Sequence, residues 1–257
     1  MRVLRFSGVC LLASYLLLHA LFPTAWSELI AYNITPIAGL VAISCAPRIR
    51  DVIAKPTTAI AIVLWTCGSA IASASAFFVI SHAYSTASSI MYLLFYPLAI
   101  IGLPRLLAVN RKLSLIEIVD SSIFGLGLTT LGSAIVIRPV LPHFNGNIAE
   151  SFYAIAYPIA DLLIVCLVIV TFSMQGYSRR GLVLALGVTM FTVTDLLYLW
   201  QHINGSYLMG SVLDVGWIIG LLLIAESFWQ PGIDIKARDG ISPILISISV
   251  SLSATLL

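Results

Sequence analysis

Residues 57–80 read TTAIAIVLWTCGSAIASASAFFVI, twenty-four consecutive positions without a charge. A spanning helix needs about 20 predominantly apolar residues, so this run is read as one crossing of a bilayer. Further charge-poor apolar runs lie at 6–22, 28–46, 88–107, 113–137, 148–173, 181–201, 208–229 and 241–257. Together they predict an all-α, polytopic transmembrane helical bundle of about nine helices, forming a single integral membrane domain over residues 1–257. Composition points the same way. The chain is 60% hydrophobic and only 9% charged, where a soluble domain carries about 25% charged residues. So few charges could not coat a water-facing surface.

Basic residues set the orientation. With the N-terminus cytoplasmic, Arg2, Arg5, Arg48, Arg50, Lys55, Arg105, Arg111, Lys112, Arg179, Arg180, Lys236 and Arg238 all fall inside. Only Arg138 falls outside. Every second loop is basic and the others are nearly empty, an alternation that a wrong helix count would break. The first run follows Arg2 and Arg5 but has no good small-residue cleavage site, and Pro23 sits badly for one. It is read as an uncleaved helix. Trp26, Tyr32, Tyr84, Tyr92, Tyr153, Trp200 and Tyr207 would lie near the outer interface, and Trp229 near the inner one, as aromatic belts do.

Small residues in Gly68–Ala76 would let neighbouring helices approach closely. Cys10, Cys45, Cys67 and Cys166 lie in apolar runs with no metal-ligand spacing and are read as small hydrophobes. There is also an internal echo. Met91–Ala99, MYLLFYPLA, aligns with Phe152–Ala160, FYAIAYPIA. Each contains a Tyr-Pro step inside a predicted helix, where proline removes a backbone hydrogen bond. The echo suggests duplicated helix pairs with prolines at matching depth.

The informative polar groups are acids within the predicted spans. Asp120, Asp161, Asp195 and Asp214 lie inside them, with Glu117 and Glu226 nearer the inner ends. A charge at the bilayer centre costs about 2.5–3.5 kcal/mol on insertion scales. No Lys or Arg lies deep in any span to pair with them. These acids are therefore protonated, hydrogen-bonded, hydrated, or bound to a cation or ligand. Tyr153, Tyr157 and Asp161 are spaced by four and share a helix face. Asp195, Tyr198 and His202 run i, i+3, i+7 on the next helix, and Tyr207, Asp214 and Trp217 fall at matching helical intervals on the one after. These stripes predict a polar, aromatic-lined pocket opening outward, with Arg138 at its rim. The competing reading is interhelical glue, in which the acids only bond tyrosines, serines and threonines.

Other chemistries lack their residues. Lys55, Lys112 and Lys236 lie in loops, so no helix offers a lysine for a retinal Schiff base. His19, His82, His143 and His202 show no ligand-like spacing, and neither a metal nor a cofactor is expected. There is no HExxH, GxSxG or phosphate-binding glycine loop, and no catalytic constellation. Nucleic acid is not an expected partner, because the basic residues serve topology.

From about residue 57 onward the chain resembles a multi-pass membrane module of actinobacteria that precedes cytoplasmic GGDEF and EAL domains, which make and degrade cyclic di-GMP. The resemblance rests on Tyr96-Pro97, on Asp120 in a glycine-rich fifth helix, on Ala156–Leu163 (AYPIADLL), on Thr194–Tyr198 (TDLLY) and on Gly205–Trp217 (GSYLMGSVLDVGW). It implies a sensory input domain of about ten helices whose output domain returns to the cytoplasm. The chain departs from that pattern. It carries no GGDEF or EAL motif, has Ala76-Phe77-Phe78 where an acid is expected, and stops at Leu257 in or after the ninth helix. It is expected to be a truncated, diverged or split relative.

The leading expectation is an inner (plasma) membrane input module of signal transduction, not catalytic by itself. It would bind a small or lipidic ligand through Asp161, Asp195, Asp214, Tyr157, Tyr198, Trp217 and Arg138, with Asp120 on the signalling path. Its partners would be the lipid bilayer and that ligand, and homodimer formation is compatible with the chain. A small proton- or ion-coupled transporter is the alternative, followed by an inactive remnant of a longer signalling protein.

Overall fold

The computed structural model describes residues 2–22, 24, 26–49, 51–78, 82–107, 148–175 and 178–232, with helical positions at 119, 123, 126–127, 129–130 and 134. The described elements are all helical: α1 (Arg2–Leu21), a π-helical turn (Ser27–Tyr32) leading into α2 (Asn33–Cys45), α3 (Ala54–Phe77), α4 (His82–Leu107), α5 (Ile148–Gln175), α6 (Arg179–Ile203) and α7 (Asp214–Ser227). They account for seven of the nine predicted runs. The ninth, and the fifth apart from the positions named, lie outside the described residues. Five helices, α1 and α3 to α6, are long and apolar enough to cross a membrane. Their outer faces carry exposed Leu17, Leu21, Ile60, Leu186 and Trp200, more apolar surface than a water-soluble monomer displays. The chain is a helical membrane protein.

In hydrocarbon every backbone polar group must be satisfied within the segment, which selects helices. Side-chain hydroxyls in these helices do likewise. Ser44, Thr66, Ser75, Ser173 and Thr194 each donate to the carbonyl four residues back, at 2.7–2.9 Å. Two helix starts are held by side chains. Asp51 Oδ1 accepts from the amides of Ile53 (2.8 Å) and Ala54 (3.2 Å) ahead of α3, and Ser178 Oγ accepts from Gly181 N at 2.9 Å ahead of α6.

The helices form a ring with two distinct ends. α2 packs on α3, α3 on α4, α4 on α5, α5 on α6, α6 on α7, and α7 returns to α2, while α1 lies outside against α2 and α7. Basic groups collect at one end. Lys55 donates to the carbonyls of Ser44 and Ala46, Arg105 pairs with Asp51 at 3.0 Å, Arg5 pairs with Glu226, and Arg180 donates to the Gln230 carbonyl at 3.1 Å. Tyrosines and aspartates collect toward the other end. There Asn33 Nδ2 donates to Ser73 Oγ at 3.2 Å, and Ser88 Oγ donates to the Gly68 carbonyl at 2.8 Å.

Named contacts give the directions. α6 and α7 cross antiparallel, with Gly187 near Gly220 and Ile224, and Gly216 near Thr194. α5 runs antiparallel to α6, since Phe172 lies at Gly181 and the Asp161 carbonyl at Thr192. α2 runs parallel to α7, since Tyr32 bonds Asp214 and Trp229 donates to the Ala42 carbonyl. α4 and α5 therefore run the same way. α4 ends among the basic groups and α5 begins at the aromatic end, so the chain between them joins opposite ends of the bundle. Thr129, one of the described positions on that connection, is buried and hydrogen-bonds Cys166 of α5. The core beneath the aromatic end holds Trp65, Phe95 and Phe191 in ring contact.

One predicted helix begins late. The run 208–229 is helical only from Asp214, so Tyr207 does not share a helical stripe with Asp214 and Trp217. Gly210 turns the chain at φ +83°, a region closed to most side chains, and α7 starts after it.

Candidate functional site

The four helices α4 to α7 meet at two carboxyl groups. Asp195 on α6 accepts from Trp217 Nε1 at 2.7 Å through Oδ1, and from Tyr96 Oη at 3.0 Å through Oδ2. Asp161 on α5 is 1% exposed, and its carboxyl is set against the Asp195 carboxyl and the Tyr96 hydroxyl. An ionised carboxylate only accepts. A hydrogen bond between two carboxyls therefore requires a proton on at least one of them. Asp161 Oδ2 has no hydrogen-bond partner among the described residues. A buried polar atom left unpaired is costly, which makes this oxygen the open valence of the site.

Aromatic rings surround the pair because of helical spacing. On α5, Tyr153 and Tyr157 stack at 5.9 Å, one turn apart, and Tyr157 stacks on Tyr96 of α4 at 6.0 Å. Tyr157 Oη donates to the Ser89 carbonyl at 3.0 Å. On α6, Tyr198 stacks on His202 at 5.4 Å. Its edge contacts reach Trp217 at 5.6 Å and Tyr207 at 4.7 Å. Asp195, Tyr157, Tyr198 and Trp217 are only half-buried, while Asp161 lies beneath them.

Asp214 does a different job. Its Oδ1 accepts from Tyr207 Oη at 3.0 Å, its Oδ2 from the Gly210 amide at 2.6 Å, and its carbonyl from Tyr32 Oη at 3.0 Å. As the first residue of α7 it also faces the positive end of the helix dipole. Burial, then the facing Asp214 carboxylate, pushes the Tyr207 phenol well above its ordinary range, so Tyr207 remains a donor. Both carboxylate oxygens hold the 207–214 loop onto its own helix.

Of the residues singled out in the sequence, Asp161, Asp195, Tyr157, Tyr198 and Trp217 come together, with Asp214 one turn from Trp217. Arg138 and Asp120 lie outside the described residues. Tyr96 and Gly210 join the site without having been assigned to it. Tyr96 had a signal, since it holds the same place in the echo as Tyr157. No family model, curated protein or solved structure matches this chain.

Proposed function

We propose that the chain is the sensory, ligand-binding input module of an inner (plasma) membrane signalling protein, non-catalytic by itself, with its basic end in the cytoplasm. One observation carries the reading. Asp195 on α6 is bonded at once to α4 through Tyr96 and to α7 through Trp217, and its carboxyl is set against Asp161 of α5. A ligand or proton that alters this carboxyl pair alters the contacts of four helices together, which is what an input device must do. The resemblance to the membrane modules that precede cyclic di-GMP domains supports the same assignment, as does the absence of a nucleophile–base pairing in the sequence.

A proton-coupled carrier is the second reading. It is favoured by the carboxyl pair itself, because intramembrane acids in contact are the usual proton relays of carriers. Purified full-length chain in lipid nanodiscs, melted against a panel of lipids, fatty acids and small organic ions, tests the input reading. One class should raise the melting temperature, and Asp161→Asn or Asp195→Asn should abolish the shift. Solute uptake into proteoliposomes driven by a pH gradient and lost in the same variants would overturn it in favour of the carrier.

A further inference from the structure

We propose that the Asp161–Asp195 pair takes an ammonium group, the cationic head of an amine or of an amine-bearing lipid. This rests on the ligand-binding reading above and names the ligand class.

The first ground is charge. Two carboxyls that share a single proton carry one negative charge between them. Among the described residues neither acid has an ion-pair partner, since the ion pairs present, Arg5–Glu226 and Arg105–Asp51, lie at the opposite end. A negative charge inside a membrane bundle demands compensation.

The second ground is the open valence. Asp161 is 1% exposed, and its Oδ2 lacks a hydrogen-bond partner among the described residues. Among the described residues Tyr96, whose hydroxyl is donated to Asp195, is the one donor set near this acid, and an ammonium supplies N–H donors and a compensating charge in one group.

The third ground is the wall. Tyr157 stacked on Tyr96, and Tyr198 set edge-on to Trp217, line the approach. Aromatic faces attract organic cations. A hard metal ion would want six or more oxygens. Here Asp195 already has both oxygens engaged, and the Tyr157 hydroxyl is turned to the Ser89 carbonyl. Asp195, Tyr157 and Trp217 are only half-buried, so the pair is not sealed over by packed side chains.

The test uses full-length chain in nanodiscs of phosphatidylglycerol alone, which offers no ammonium headgroup. Methylammonium and ethylammonium chlorides, both of which carry N–H donors, are titrated, with sodium chloride at equal ionic strength as the reference. Tryptophan fluorescence and melting temperature are read. The expected result is a saturable response to the ammonium salts, absent with sodium, and weakened at least about tenfold by Asp195→Asn. Should that variant fail to fold, Asp161→Asn takes its place. A second set of nanodiscs containing phosphatidylethanolamine separates the sources. A lowered apparent affinity for the free ions identifies the lipid headgroup as occupant, and an unchanged one identifies a free amine.

Wild-type protein with no saturable response up to about 10 mM, or one equal to that with sodium, overturns the proposal without recourse to any variant. An undiminished response in a folded Asp195→Asn protein also overturns it. Protein that ignores ammonium but is stabilised by a neutral or anionic lipid through the same acids sinks the ammonium assignment and leaves the input-module reading standing. Ammonium accumulated in vesicles against a pH gradient does the reverse.

Discussion

Tyr96 and Tyr157 stack with ring centroids 6.0 Å apart and planes 23° from parallel. Each stands immediately before a proline inside its own helix, and the two helices run the same way. The echo in the sequence thus becomes a physical contact at one depth of the bundle. Their hydroxyls then diverge: Tyr96 donates to Asp195 and Tyr157 to the Ser89 backbone.

That divergence predicts unequal costs for one chemical change. Tyr96→Phe leaves a carboxylate oxygen short of a donor and should destabilise the bundle by about 1–3 kcal/mol. Tyr157→Phe releases only a helical carbonyl and should cost about 0.6 kcal/mol, the average for interhelical hydrogen bonds in membranes. Equilibrium unfolding of both variants in mixed detergent measures the difference. Equal losses would mean that Tyr96 does not support the carboxyl pair.

Asp214 is expected to behave as a structural latch. Asp214→Ala removes the acceptor for Tyr207 and for the Gly210 amide, and should cost about 1–3 kcal/mol. Gly210→Ala, at φ +83°, should cost about 1–2 kcal/mol through left-handed strain. Both should expose the 204–213 loop to protease while leaving the helix content measured by circular dichroism unchanged. Protease resistance equal to wild type in Asp214→Ala would show that the loop is held by something else.

Spans were easy to read in the sequence because charge depletion over a bilayer's width is a one-dimensional signal. The pairing of Tyr157 with Asp161 and of Asp195 with Tyr198 was legible because helical spacing puts each pair on one face of its own helix. The role of Asp214 was not, since its stripe was drawn on a helix that starts seven residues later than Tyr207. A positive-φ glycine in the middle of an apolar run leaves hydropathy unchanged while it reroutes the chain. The contact of Asp161 with Asp195 was equally hidden, because periodicity orders residues along one helix and says nothing of which helices become neighbours. Tyr96 shows the same limit: its pattern was visible, but its partner sits on α6.

The crossing of α6 and α7 depends on two glycines. A Cβ on Gly187 would lie 2.9 Å from the Ile224 nitrogen and 3.0 Å from the Gly220 oxygen, and one on Gly220 would lie 3.0 Å from the Gly187 oxygen. Backbone cannot step aside as a side chain can. Gly187→Ala and Gly220→Ala should each cost about 1–3 kcal/mol by overpacking, and the double variant should lose less than their sum, because one separation of the helices relieves both. Trp217 would move with α7, so the Asp195 bond should weaken as well. A double-mutant cycle on unfolding free energies, with Trp217→Phe as the third substitution, reads this coupling. Strict additivity would show that the crossing and the carboxyl pair are independent.

The two ends of the bundle make a topological prediction that needs no ligand. Val52 is 81% exposed beside the Asp51–Arg105 pair, and Ser206 is exposed at the aromatic end next to Tyr207. The positive-inside rule assigns the basic end to the cytoplasm. In a variant lacking the four native cysteines, Val52→Cys should react with a membrane-impermeant maleimide only after the cells are opened, and Ser206→Cys should react in intact cells. The reverse pattern would invert the orientation and put the carboxyl pair nearer the cytoplasm. It would also turn the search for its occupant from external amines to internal ones. Labelling of both sites from one side would mean that the basic and aromatic ends of the bundle do not face opposite sides of the bilayer.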